Sequence, residues 1–124
     1  MRYMLLAYTR QDWSEVDFGS PEFLAMTRFY DELGAELTTT GELLATEGLA
    51  DPRLTRTVRP ADGGTEIGDG PYADVPLALT SFSVLDVADA TRAEEIATRI
   101  ARGTGDTVEI RPLGTDPAPE GSAG

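Results

Sequence analysis

Asp69-Gly70-Pro71-Tyr72 sets a carboxylate and a phenol on either side of a glycine and a proline. Such a pair can move protons, with the aspartate as base and the tyrosine hydroxyl as donor, if a cleft raises the carboxylate's pKa. The same four residues also spell a turn. Aspartate accepts backbone N–H bonds, glycine takes an unusual φ, and proline fixes the exit. Both readings stay open here. The chain's missing residue types narrow the chemistry further. It has no cysteine, no histidine and no lysine, and all ten basic residues are arginines. That removes disulfides, thiolates, a histidine base, a Ser–His triad, a Schiff-base lysine and a Walker-type phosphate lysine. Only carboxylates, tyrosines and bound water remain for proton transfer. A metal would have to be held by oxygen, in the manner of magnesium or calcium. No motif calls for one, and no cofactor is expected.

Arg59 and Arg111 fall in apolar-alternating stretches that read as strands. A strand arginine can clamp a carboxylate or phosphate through two parallel hydrogen bonds. It can equally pair with a neighbouring acid, and Glu66 and Glu109 are at hand. Glu47, beside Gly48 at the end of a strand, is a weaker candidate for a site. Tyr8, also at a strand end, can line a pocket, while Tyr3 and Trp13 suit a core or a subunit contact. Gly63-Gly64 matches neither a dinucleotide fingerprint nor a phosphate loop.

The elements that must position these residues follow from periodicity and capping. Arg2 to Tyr8 reads as a strand apolar on both faces. Ser20-Pro21-Glu22 opens a helix, Phe23, Met26, Tyr30, Leu33 and Leu37 form its stripe, and Gly41 stops it. Glu42 to Leu49 can form a second strand, closed by Asp51-Pro52. Thr55–Arg59 and Thr65–Ile67, joined by Ala61-Asp62-Gly63-Gly64, form a hairpin in which Asp-Gly supplies positive φ angles. Leu79 to Val87 is a further strand. Asp89 caps a second helix whose stripe runs from Ala90 to Ala101 and which Gly103 ends. Asp106 to Leu113 is the last strand. Residues 1–113 make one domain, and the Gly/Pro/Ala-rich residues 114–124 make a loose tail.

This order, β-α-β, hairpin, β-α-β, predicts an α+β domain of ferredoxin-like split βαβ type with an antiparallel sheet. Two helices cover one face of such a sheet. The first strand, Phe82 and Val84 make the other face apolar as well, which predicts a homodimer that buries it. Twenty-two acidic residues against ten arginines give a net charge of −12, which opposes nucleic acid and anionic lipid as partners. The apolar N-terminal run is too short for a membrane span and lacks the marks of a secretory signal, so the cytoplasm is the expected compartment.

Arg2-Tyr3-Met4-Leu5-Leu6, Gly48-Leu49, Thr57-Val58-Arg59, Asp69-Gly70-Pro71-Tyr72 and Val108-Glu109-Ile110-Arg111-Pro112, in this order and spacing, resemble the YCII-related proteins. The branch they resemble is the one named for its Asp-Gly-Pro-Phe (DGPF) signature. The resemblance implies a dimeric α/β-barrel with a cleft beside the sheet, in a superfamily that includes enzymes using a His–Asp pair. This chain departs from the pattern. Tyr72 replaces the signature phenylalanine, Ala73-Asp74-Val75-Pro76-Leu77 replaces a lysine-containing segment, and the absent histidine rules out His–Asp chemistry. Three functions remain: a dimeric domain binding a small molecule or a regulatory partner, an enzyme acting on a small organic acid, or a purely structural protein. The enzyme would use Asp69 as base, Tyr72 as donor and an arginine as the carboxylate clamp.

Overall fold

The computed structural model describes residues 1–10, 12–72 and 76–114. The elements in chain order are β1 (Arg2–Arg10), α1 (Pro21–Thr40), β2 (Leu43–Gly48), a one-turn 3₁₀ helix (Pro52–Leu54), β3 (Arg56–Ala61), β4 (Gly64–Asp69), β5 (Leu77–Asp86), α2 (Ala90–Thr104) and β6 (Thr107–Pro112). The loose tail expected at the C-terminus lies outside the described residues from 115 on, as do residues 73–75 of the departing segment.

Four strands form one antiparallel sheet in the order β2-β5-β1-β6. This is the ferredoxin-like arrangement, with β3 and β4 set apart as a two-stranded hairpin. Side chains alternate between the two faces, so β1 sends Tyr3, Leu5 and Ala7 to the helix side, where all three are buried. Across the ladders Leu85 lies opposite Tyr3, and Ile110 opposite Leu5. Leu33 and Leu37 of α1 and Ala93, Ile96 and Ile100 of α2 close this core. Met4, Leu6, Phe82 and Val84 occupy the other face, opposite one another in register and only half-buried.

Capping explains where the helices begin and end. The Ser20 hydroxyl accepts the Phe23 N–H at 3.1 Å, and the Asp89 carboxylate accepts the Arg92 N–H at 2.9 Å. α1 ends at Gly41, in the left-handed conformation at φ 81°. Arg92 then joins the helices to the sheet through a two-point contact with Glu42, at 2.8 and 2.9 Å. These bonds hold the Glu42 carboxyl below the usual carboxylate range.

Two sequence readings need correction. α2 does not stop at Gly103. It runs to Thr104, and Gly105, at φ 79°, is the left-handed cap. Gly103 is glycine because the Phe29 ring of α1 lies where a side chain would be, its nearest carbon 2.6 Å from an added Cβ. Gly103→Ala must therefore displace that ring. Overpacking of this kind costs ~1–3 kcal/mol, against ~1 kcal/mol gained in helix propensity. The expected result is a lowered melting temperature that Phe29→Leu partly restores. A rise would show that the ring does not pack there. In the hairpin, only Gly63 of the Asp62-Gly63 pair takes a positive φ, at 79°.

Among the described residues, no helix is long and apolar enough to cross a membrane.

Candidate functional site

The hairpin carries Arg59 and Asp69, two of the residues first suspected of chemistry, and it holds both in water. Asp69 ends β4 with its side chain 88% exposed, its carboxylate 3.0 Å from Arg56 on the facing strand. Gly70 follows at φ 91°, where its N–H reaches the Thr55 carbonyl at 2.7 Å and its carbonyl accepts the Thr57 hydroxyl at 2.8 Å. The segment is thus a backbone-locked turn at the root of the hairpin. Arg59 pairs with Glu66 at 3.1 Å, and both are exposed.

Tyr72 is 80% exposed but lines a small hollow of about 350 Å³ with Tyr8, Pro71 and Leu79. Arg111 stands across from Met4 on the open face of the sheet. There the Tyr8 phenol is pushed above its ordinary pKa, first by hydrogen bonding with Glu109, then by burial and then by the Glu109 charge, with Arg111 opposing. The structure therefore brings Tyr8 together with Tyr72, and Arg111 together with Tyr8 and Glu109. It does not bring Asp69, Tyr72 and either candidate arginine to one cavity. The arginine beside Asp69 is Arg56, at the surface.

A larger hollow lies elsewhere, on the helix side of the sheet. It encloses about 760 Å³ between α1 and the strands. Leu33 and Leu37 of α1 line it opposite Leu5 and Leu85, and Ile96 and Ile100 of α2 contribute further hydrocarbon. Trp13, Phe18 and Phe23 add aromatic surface from the loop before α1 and its first turn. Phe18 meets Phe23 edge-on at 5.0 Å and Trp13 at 6.4 Å. The Trp13 indole N–H is anchored on the Arg10 carbonyl at 3.0 Å. Glu47, one of the residues suspected from sequence, also lines this cavity.

Gly34 helps keep the space open. It lies on α1 between Tyr30 and Leu37 and lines the cavity, and an added Cβ there would meet nothing within 4 Å. Glycine inside a helix costs ~1 kcal/mol relative to alanine. No local backbone need explains its presence, since its φ is not positive.

Sequence reasoning passed over two polar groups on this wall. The Tyr30 hydroxyl is buried and makes no hydrogen bond, although Ser81, Thr104 and Asp106 stand near it. Burial and then the charge of Asp106 push its pKa up, so it keeps its proton. Asp106 itself is half-buried just past the end of α2, with Thr104, Thr9 and Tyr30 close by. Burial pushes its carboxyl above the usual range, against the lowering effect of those hydroxyls. One sequence signal was available: a tyrosine four residues before a glycine in an otherwise bulky stripe. Among the described residues, no three acidic side chains gather as a metal-binding group.

A ferredoxin-like sheet with helices on one face and an apolar hollow beneath the first helix defines an α+β domain of the ferredoxin-like class. Residues 1–114 match the YCII-related domain, and the chain belongs to that family. Comparison with curated proteins finds no match.

Proposed function

We propose that this YCII-related chain is a homodimeric, cytoplasmic domain of the DGPF-type branch that binds a small, largely apolar molecule between α1 and the sheet. The observation that carries the reading is the chamber itself. Its volume of about 760 Å³ falls within the range of ligand pockets, and its wall is mostly hydrocarbon and aromatic with a few convergent polar groups. Acid–base catalysis at Asp69 draws less support. Its carboxylate is in water against Arg56, and nothing there supplies the burial that turns a carboxylate into a base near neutrality. The homodimer is supported by the half-buried apolar side chains on the open sheet face and by Val58 and Ile67, each 61% exposed on the hairpin.

Nile red, a neutral apolar fluorophore, tests the chamber when titrated against the wild-type chain and against Gly34→Leu. The wild type is expected to bind one dye per chain and to change the emission of Trp13, the chain's single tryptophan. Gly34→Leu projects four carbons into the space. It is expected to weaken the dye by tenfold or more while raising the melting temperature. Absence of dye binding would sink the proposal, as would equal affinity in Gly34→Leu, which would move the dye to the sheet's open face.

A further inference from the structure

Asp106 has no counter-ion. Among the described acidic residues only Glu42, Asp51 and Asp106 are withdrawn from full exposure. Glu42 is held by Arg92 and Asp51 by Arg53, while Asp106 forms no ion pair among the described residues. A partly buried carboxylate without a cation is costly, because neighbouring hydroxyls such as those of Thr104 and Thr9 offset the lost water only in part. The deficit lies on the wall of the chamber, beside a buried hydroxyl that also lacks a partner.

The surrounding field has one sign. Asp31 and Asp106 line the chamber, and Glu47 borders it from a position opposite Phe82, against Arg10 as the one cation among the described lining residues. Asp106 directly follows the cap of α2, so it adds to the negative end of that helix's dipole. Arg102, in the last turn, is exposed and does not line the chamber. Beyond the walls, the whole chain carries −12. An organic anion would enter against every one of these contributions except Arg10, whereas a cation would enter with them.

Resting on the reading of the chamber as a ligand site, we infer that its ligand is an apolar amine. Its ammonium group is held by the Asp106 carboxylate with the Tyr30 hydroxyl as acceptor, and its hydrocarbon or aromatic body lies along Leu33, Leu37 and Phe23. The ammonium supplies the charge that Asp106 lacks and the donor that the Tyr30 oxygen lacks, in charge-assisted hydrogen bonds. The apolar body matches the rest of the wall. This ligand class differs from the small organic acid suggested by the arginines in the sequence, since Arg59 is paired on the hairpin and Arg111 lies on the opposite face of the sheet.

Three probes of one shape separate the possibilities: phenethylamine, phenethyl alcohol and phenylacetate, each titrated calorimetrically into the full chain and into Asp106→Asn. In the wild type the amine is expected to bind about tenfold more tightly than the alcohol, with phenylacetate weakest. In Asp106→Asn the advantage of the amine over the alcohol should vanish while the alcohol's own affinity stays. Equal binding of amine and alcohol to the wild type would overturn the charge assignment and leave the chamber standing. So would an amine preference that survives in Asp106→Asn. If neither amine nor alcohol binds, the chamber reading and this inference fall together. The wild-type ranking needs no variant, so it decides the matter even if Asp106→Asn fails to fold.

Discussion

Replacing Leu85 with alanine is expected to cost about 3 kcal/mol of stability. Leu85 is 0% exposed and sits on β5, opposite Tyr3 of β1 on one side and Leu43 of β2 on the other. Its side chain faces both helices within the cluster formed by Leu33, Leu37 and Ile96. Truncation removes the transfer free energy of three buried carbons and leaves a void that two ladders and two helices cannot close around. The new void opens into the existing chamber, which Leu85 also lines. The cost should therefore lie toward the lower part of the range for Leu→Ala changes, since some of the surrounding contacts are already missing. For a domain of this length the melting temperature should fall by roughly 10 °C. Urea unfolding checks the origin of the loss: the midpoint should drop with an unchanged slope. A cost under ~1 kcal/mol would mean that this face of β5 does not form the core.

The core was open to sequence reasoning because periodicity, caps and breakers all act locally. Ser20-Pro21 and Asp89 start their helices as read, and Gly41 ends the first. The ferredoxin-like order follows from the split βαβ succession, although β1 and β5 each run two residues beyond one of their expected ends. Gly103 and Gly105 show where local reasoning stops. Both lie near the end of the Ala90 stripe. Choosing between them requires the Phe29 ring, which comes from another helix. The candidate site was much less legible. Asp69 to Tyr72 stands out in the sequence because glycine and proline do, yet those residues hold a turn in water. The chamber is assembled from β1, the following loop, α1, β2, β5, α2 and Asp106. Tyr30 was hidden in an apolar stripe and Asp106 at the head of a strand. Neither looks unusual until the fold places both beside one empty space. Glu47 is the one residue suspected from sequence that lines this chamber.

Phe82→Asp is expected to convert a dimer of twice 13.3 kDa into a monomer of 13.3 kDa at micromolar concentration, as measured by light scattering after gel filtration. Phe82 faces away from both helices, opposite Leu6 on β1 and Glu47 on β2, with Met4 and Val84 paired beside it. A second copy covering these residues would bury them, and an aspartate at their centre would then lie unpaired in an apolar interface. Truncating or charging such a position weakens association by a factor of 100 or more. Because Phe82 is half-buried in the single chain, the variant's far-UV spectrum must remain that of the wild type for the result to count. Ile67→Asp supplies the independent arm. Ile67 lies opposite Val58 on the hairpin and is 61% exposed, so charging it cannot harm the folded monomer, yet it should weaken the dimer if the hairpin clasps the partner. Electrostatics gives a further signature. Two copies each carrying −12 repel one another, so apolar contact must supply the association and added salt should strengthen it by screening. A wild-type chain that is monomeric at micromolar concentration in moderate salt would refute the dimer.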